Sequence, residues 1–86
     1  MNLNNKQRKT LEHIYERPTR SDIKWTDILS LLTACGADIF QREGSRVCIK
    51  LGNQRAVFHA PHPQKVTVKG AVDDMREFLR KAGITP

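Results

Sequence analysis

The stretch from Arg46 to His59 restricts the possible folds of this chain more than any other. Two runs, Arg46 to Leu51 and Arg55 to His59, alternate apolar and polar residues with a period of two, the pattern of strands with one buried face. Between them Gly52-Asn53 suits a two-residue hairpin turn, with glycine where a positive φ is needed. With those two residues as the turn, Leu51 pairs with Gln54 and the whole register follows. Val47 then faces Phe58 and Ile49 faces Ala56 on the core side. Arg46 faces His59, Cys48 faces Val57 and Lys50 faces Arg55 on the other. A four-residue loop would slide His59 toward Cys48 but leave it on the face of Arg46.

The rest of the chain reads as helices with one further strand. Leu11, Ile14 and Tyr15 make a narrow apolar stripe over Asn5 to Arg17, a helix stopped by Pro18. Thr19 to Asp22 is a polar connector. Trp25, Ile28, Leu29, Leu32 and Cys35 then recur at helical spacing, with Leu31 alongside and Gly36 placed as the C-terminal residue of positive φ. Ile39 to Arg42 reads as a short first strand ending at Gly44. Pro61 and Pro63 end the strand that holds His59, and Gln64 to Lys69 is a connector. A last helix from about Ala71 to Ala82 presents Val72, Met75, Phe78 and Leu79 to the core. Asp73 and Asp74 fall in its first turn, and Arg80 and Lys81 in its last, with Gly83 following; that charge order suits the helix dipole.

This order predicts an α+β domain. A three-stranded antiparallel meander lies between two helices, α-β-β-β-α, the layout of double-stranded-RNA-binding domains, with an extra helix at the N-terminus. One sheet face stays open unless a partner covers it. Residues 1–86 are read as a single domain: 1–22 are the N-terminal helix and connector, and 23–85 the core. Eighty-six residues allow one modest core, and an apolar content of 38% fits a core covered on one side.

Charge narrows the function. Fifteen Lys and Arg against nine Asp and Glu give +6 and an isoelectric point near 9.8, the footprint expected of a nucleic-acid binder. No stretch is long enough to span a bilayer, and Met1 to Thr10 is polar and basic, unlike a signal peptide. Cys35 and Cys48 form no CxxC and lie at no ligand spacing from a histidine, so neither metal nor cofactor is expected. Reduced thiols and a cytoplasmic location are the default.

Metal-free RNA cleavage needs a base for the 2′-hydroxyl, an acid for the leaving 5′-oxygen and a cation for the developing charge. Histidine can do either proton job near neutral pH. Arginine stays protonated, so Arg46 is suited to bind and stabilise phosphate rather than to act as a base. Facing Cβ atoms on paired strands lie about 5 Å apart, so one phosphate can touch both Arg46 and His59. His59 is therefore the first candidate for proton transfer, and His62 the second. Lys50 and Arg55 would repel one another unless an anion or an acidic partner lies across them. Ser45, His62, Lys65 and Lys69 complete the candidate phosphate contacts. The competing readings are ordinary ones: His59 as a strand-end residue, His62 as a loop residue, Lys50 and Arg55 as solvated strand residues. Trp25 reads as core, and Phe40 and Tyr15 as core or helix contacts rather than base-stacking platforms. His13 is given no catalytic role.

Several short motifs recur in one order: Ile23-Lys24-Trp25-x-Asp27-Ile28, Leu31-Leu32, Gly36-Ala37, Gly44-Ser45, His62-Pro63, Lys69-Gly70 and Ala82-Gly83-Ile84. Together they resemble the HicA toxins of bacterial toxin–antitoxin pairs, over roughly Ile23 to Thr85. The resemblance implies a double-stranded-RNA-binding-like fold, ribosome-independent cleavage of mRNA, and inhibition by a HicB-like acidic antitoxin. In that family the motif Gly-Ser/Asn-His carries the catalytic histidine; here Gly44 and Ser45 match, but Arg46 holds the third position. Either His59 has taken over proton transfer, or this branch binds RNA without cutting it. A protein-interaction subunit is a third reading. The helix from Asn5 to Arg17 lies outside the family pattern, free to extend an antitoxin interface or to pack on the core.

Overall fold

A computed structural model describes residues 2–86. Its elements run α1 (Asn5–Tyr15), α2 (Trp25–Ala34), β1 (Asp38–Gln41), β2 (Arg46–Leu51), β3 (Gln54–His59) and α3 (Lys69–Lys81). The strands form one antiparallel sheet in the order β1-β2-β3. This is the expected α+β meander with a helix added in front.

The hairpin register agrees with the alternation pair by pair, from Leu51–Gln54 at the turn to Arg46–His59 at the open end. Gly52 has φ +60°, and no residue other than glycine has a positive φ among those described. That is the pattern of a type II′ turn, whose twist matches the strands it joins. Val47, Ile49, Leu51 and Phe58 are buried on the core face. They meet Trp25, Ile28, Leu31 and Leu32 of α2 and Val72, Met75, Phe78 and Leu79 of α3. Phe58 joins the layers: its ring lies 6.4 Å from Trp25 and 6.0 Å, edge-on, from Phe78. Both covering helices end in Schellman motifs, Ala37 N–H to the Leu32 carbonyl and Ile84 N–H to the Leu79 carbonyl.

Some boundaries differ from the sequence reading. Helix α1 stops at Tyr15, and Glu16 is already extended; Arg17, the residue before Pro18, is itself disfavoured in the helical region, so the chain leaves the helix ahead of the proline. Strand β1 runs Asp38–Gln41 rather than Ile39–Arg42; Arg42 N–H still bonds the Arg46 carbonyl as the chain turns. Helix α3 begins at Lys69, so Asp73 and Asp74 lie beyond its first turn, which holds no acidic residue. In α2 the buried stripe centres on Leu31, with Leu29 and Cys35 only partly buried. The connector before α3 is tied to the core: Trp25 N–H bonds the Lys65 carbonyl and Thr67 N–H the Ile23 carbonyl.

The N-terminal helix packs against α2 and α3. An isolated helix of α1's length is marginal in water, so its order comes from docking. Leu11 and Ile14 are buried, each worth about 1.5–3 kcal/mol of apolar transfer. Gln7 bonds Ser30 of α2, and the Tyr15 hydroxyl donates to the Ile84 carbonyl at 2.6 Å. Burial pushes the Tyr15 phenol up.

The main tie is Arg76 of α3, whose side chain is buried. Its Nε donates to the Ile14 carbonyl at 2.8 Å and its Nη2 to the Glu16 carbonyl and the Thr19 hydroxyl. Carbonyls at a helix C-terminus lack partners within the helix, and a cation there also suits the dipole. Asp73 closes the cluster by accepting from Thr19 and Arg76, and these two bonds hold its carboxyl below the usual range.

Arg76→Met should remove these bonds while keeping much of the side-chain bulk, leaving α1 carbonyls unpaired. The expected loss is about 2–4 kcal/mol in a denaturant titration, with faster amide exchange through Leu11–Tyr15. Because the folded Asp73 carboxyl is depressed, its contribution is complete above the ordinary carboxylate range and fades as pH falls through the folded value. Asp73→Asn should therefore destabilise at pH 7 and converge on the unmodified protein in acid.

Candidate nucleic-acid interface

The sheet carries its helices on one side only, and its other face holds every second residue of each strand. Three rows cross that face. At the open end of the hairpin, Arg46 lies directly opposite His59. In the middle run Phe40, Cys48 and Val57, and at the turn end Asp38, Lys50 and Arg55. Arg46, Lys50, Arg55 and His59 are all exposed.

Backbone bonds brace the Arg46–His59 corner. Ala60 N–H donates to the Ser45 carbonyl at 2.8 Å, extending the ladder past the pair. Arg42 N–H donates to the Arg46 carbonyl at 2.8 Å, drawing the end of β1 to the same corner. Arg42 also stands over the Phe40 ring at 5.6 Å from its centroid, within cation–π range. The sequence reading did not place Arg42 at this corner or Phe40 on the outward side of the sheet. Phe40 was expected in the core or against a helix, but it is exposed because it shares its face with Asp38 and Arg42, two positions away on either side.

Ion pairing leaves this face positive. The ion pairs of the described residues use Lys6, His13, Arg20, Arg76, Arg80 and Lys81, all in the helices and the connector between α1 and α2. Among the described residues, Arg46, Lys50 and Arg55 have no carboxylate partner within 4 Å, although Asp38 lies opposite Lys50 across the strands. Unpaired cations on a firm sheet suit phosphate, which they meet without first breaking an internal bond.

The other candidates lie along the route out of β3. Ser45 is exposed in the turn before β2, beside Arg46. His62 is exposed between Pro61 and Pro63, and Lys65 lines a groove of about 470 Å³ with Lys24, Trp25, Thr26 and Gln64. Lys69 is the first residue of α3. The structure therefore groups Arg46, His59, Lys50 and Arg55 on one face, sets Ser45 at its corner, and leaves His62, Lys65 and Lys69 in sequence beyond it. Among the described residues no cluster of three or more His, Cys, Asp or Glu is placed to hold a metal ion. Cys35 and Cys48 are unpaired thiols, and burial pushes Cys35 up.

The fold and this face can be set beside known proteins. The description of the HicA toxin of bacterial toxin–antitoxin systems matches residues 25–84. The chain belongs to the HicA toxin family. Membership makes it the toxin of a toxin–antitoxin pair and implies an antitoxin as partner. The match spans α2, the whole sheet and α3, and α1 lies outside it. No curated protein and no solved structure shows a match to it. No helix among the described residues is long and apolar enough to cross a membrane.

Single-stranded RNA should bind this HicA chain with a log–log salt slope of about −0.7 for each phosphate neutralised. Lys50→Ala and Arg55→Ala should each make the slope shallower by about 0.7 in fluorescence-anisotropy titrations. Slopes unchanged in both variants would place the phosphate track elsewhere.

Proposed function

We propose that this toxin is a metal-independent endoribonuclease that cleaves mRNA without the ribosome, in the cytoplasm, and is neutralised by an acidic HicB-like antitoxin. The observation that carries this reading is the pairing of Arg46 with His59 on an open, cationic sheet face in a chain of this family. A scissile phosphate seated at that corner meets a permanent cation and a titratable imidazole together.

In the proposed reaction the 2′-oxygen attacks the neighbouring phosphorus, and the bond to the 5′-oxygen breaks. His59 moves the proton at one of these oxygens. Arg46 holds a non-bridging phosphate oxygen as its charge grows, a contact that strengthens in the transition state. His62 is the second proton-transfer candidate. Lys50 and Arg55 bind phosphates further along the strand, with Ser45, Lys65 and Lys69 at the margins. No cofactor enters this scheme. The antitoxin covers the same face, meeting Arg46 and Arg55 with acidic groups and keeping substrate from His59.

A non-catalytic RNA binder of the same fold is the alternative, favoured by Arg46 at the position where the family motif carries histidine. Cleavage of a defined RNA by purified protein, across pH 5 to 9 with chelator present, separates the two. His59→Ala should lose about 10²–10⁴-fold in rate, and Arg46→Ala about 10²–10³-fold. Arg46→His should keep or raise cleavage. Full activity in His59→Ala removes that imidazole from the mechanism, and an inactive unmodified protein moves the reading to the RNA binder.

A further inference from the structure

The middle row of the open face is not built for phosphate. Phe40, Cys48 and Val57 stand side by side across all three strands. Phe40 is 44% exposed and Val57 58% exposed, and they are two of the three large apolar side chains that the described residues leave exposed. The third, Val68, lies outside the sheet, next to α3. Two such residues sharing one register row, joined by a thiol, make a continuous apolar bar rather than scattered exposure.

The rows on either side carry the charge. Two residues along a strand is about 7 Å, so the bar lies about that far from Arg46 and His59 on one side and from Lys50 and Arg55 on the other. An apolar centre with a charged rim is the anatomy of a protein interface. A nucleic-acid strand uses the cations but finds only one ring in the bar, Phe40, whose face Arg42 already covers, and it gains little from a valine and a cysteine, which offer no ring for a base to stack on.

We infer that the Phe40–Cys48–Val57 bar is the anchor of the antitoxin interface, taking apolar side chains from an acidic partner segment whose carboxylates lie over Arg46 on one side and Lys50 and Arg55 on the other. This rests on the proposed placement of the antitoxin and adds what separates it from RNA. The cations serve both ligands, and the bar serves only the protein. Charge complementarity selects an acidic partner, and the bar requires that its acidic groups flank apolar ones.

Phe40→Thr and Val57→Thr, singly and together, test this. Threonine keeps strand preference, and both sites are exposed, so circular dichroism and thermal melting should match the unmodified protein. The partner is the antitoxin encoded at the same locus, co-expressed and purified. The double variant should bind it about 30-fold or more weakly, as expected for one truncated apolar contact and one methyl exchanged for a hydroxyl, while its RNA affinity stays within about threefold. It should also remain toxic in cells that co-express the antitoxin. At 1 M NaCl, where the Debye length is about 3 Å, the unmodified protein should still capture antitoxin but not RNA. Equal losses of RNA and antitoxin binding would make the bar a nucleotide platform and overturn the inference; so would unchanged antitoxin affinity. Failure of the unmodified protein to bind the antitoxin would overturn the partner placement too. Weakened capture by a protein that cuts no RNA would leave this inference standing and remove only the nuclease reading.

Discussion

One register, β2 against β3 around Gly52, decides which side chains of this molecule can meet. It buries Val47, Ile49, Leu51 and Phe58 and sets Arg46 opposite His59 in the same operation. Because side chains alternate with a period of two, a slip of one residue would exchange the faces. Either β2 would carry Arg46 and Lys50 into the core, or β3 would turn Phe58 to water. Phe58 blocks that slip strongly, since its ring is held between Trp25 and Phe78. The packing of the core and the geometry of the candidate site are therefore one constraint. A mutation that loosens the first will scramble the second.

Arg76 does for the helical side what the hairpin does for the sheet. It lies within the stretch that matches the HicA family, yet it bonds backbone carbonyls of α1 and the residue after it, outside that stretch. A buried guanidinium left without those carbonyls would be costly, so α3 and α1 are mutually dependent in this chain. The extension is thus part of the folded core. Docked on α2 and α3, it leaves the open sheet face untouched.

The elements with strong periodicity were legible from residues alone. The hairpin pattern named its own partners, and Trp25 went to the core as expected. The errors arose where local pattern gives way to neighbours distant in sequence. Nothing near Arg76 announces that it will reach the end of α1, because its partners are carbonyls, which carry no residue signature. The start of α3 was read two residues late because Asp73 and Asp74 looked like first-turn acids; Asp73 instead answers Thr19 and Arg76. Phe40 was misplaced because aromatic residues are usually buried, although a signal was present. Asp38, Phe40 and Arg42 alternate with Ile39 and Gln41, and two charged residues at that spacing place the ring between them on the wet face.

On the proposed reading, the open face has to solve a problem that charge cannot. RNA and an acidic antitoxin both seek Arg46, Lys50 and Arg55, and each added cation strengthens both. Electrostatic complementarity speeds encounter with either ligand, but a shared attraction cannot decide which one stays bound. Selectivity is a difference between affinities, so it must reside in a contact that one ligand makes and the other does not. The apolar bar is such a contact, set between the cationic rows by the register that buries Phe58. It also separates the two interactions by salt, because apolar contact persists when surface charges are screened. A toxin of this design can keep a strongly cationic, RNA-ready face and still be held by its antitoxin, provided the antitoxin reads the centre of the face as well as its rim.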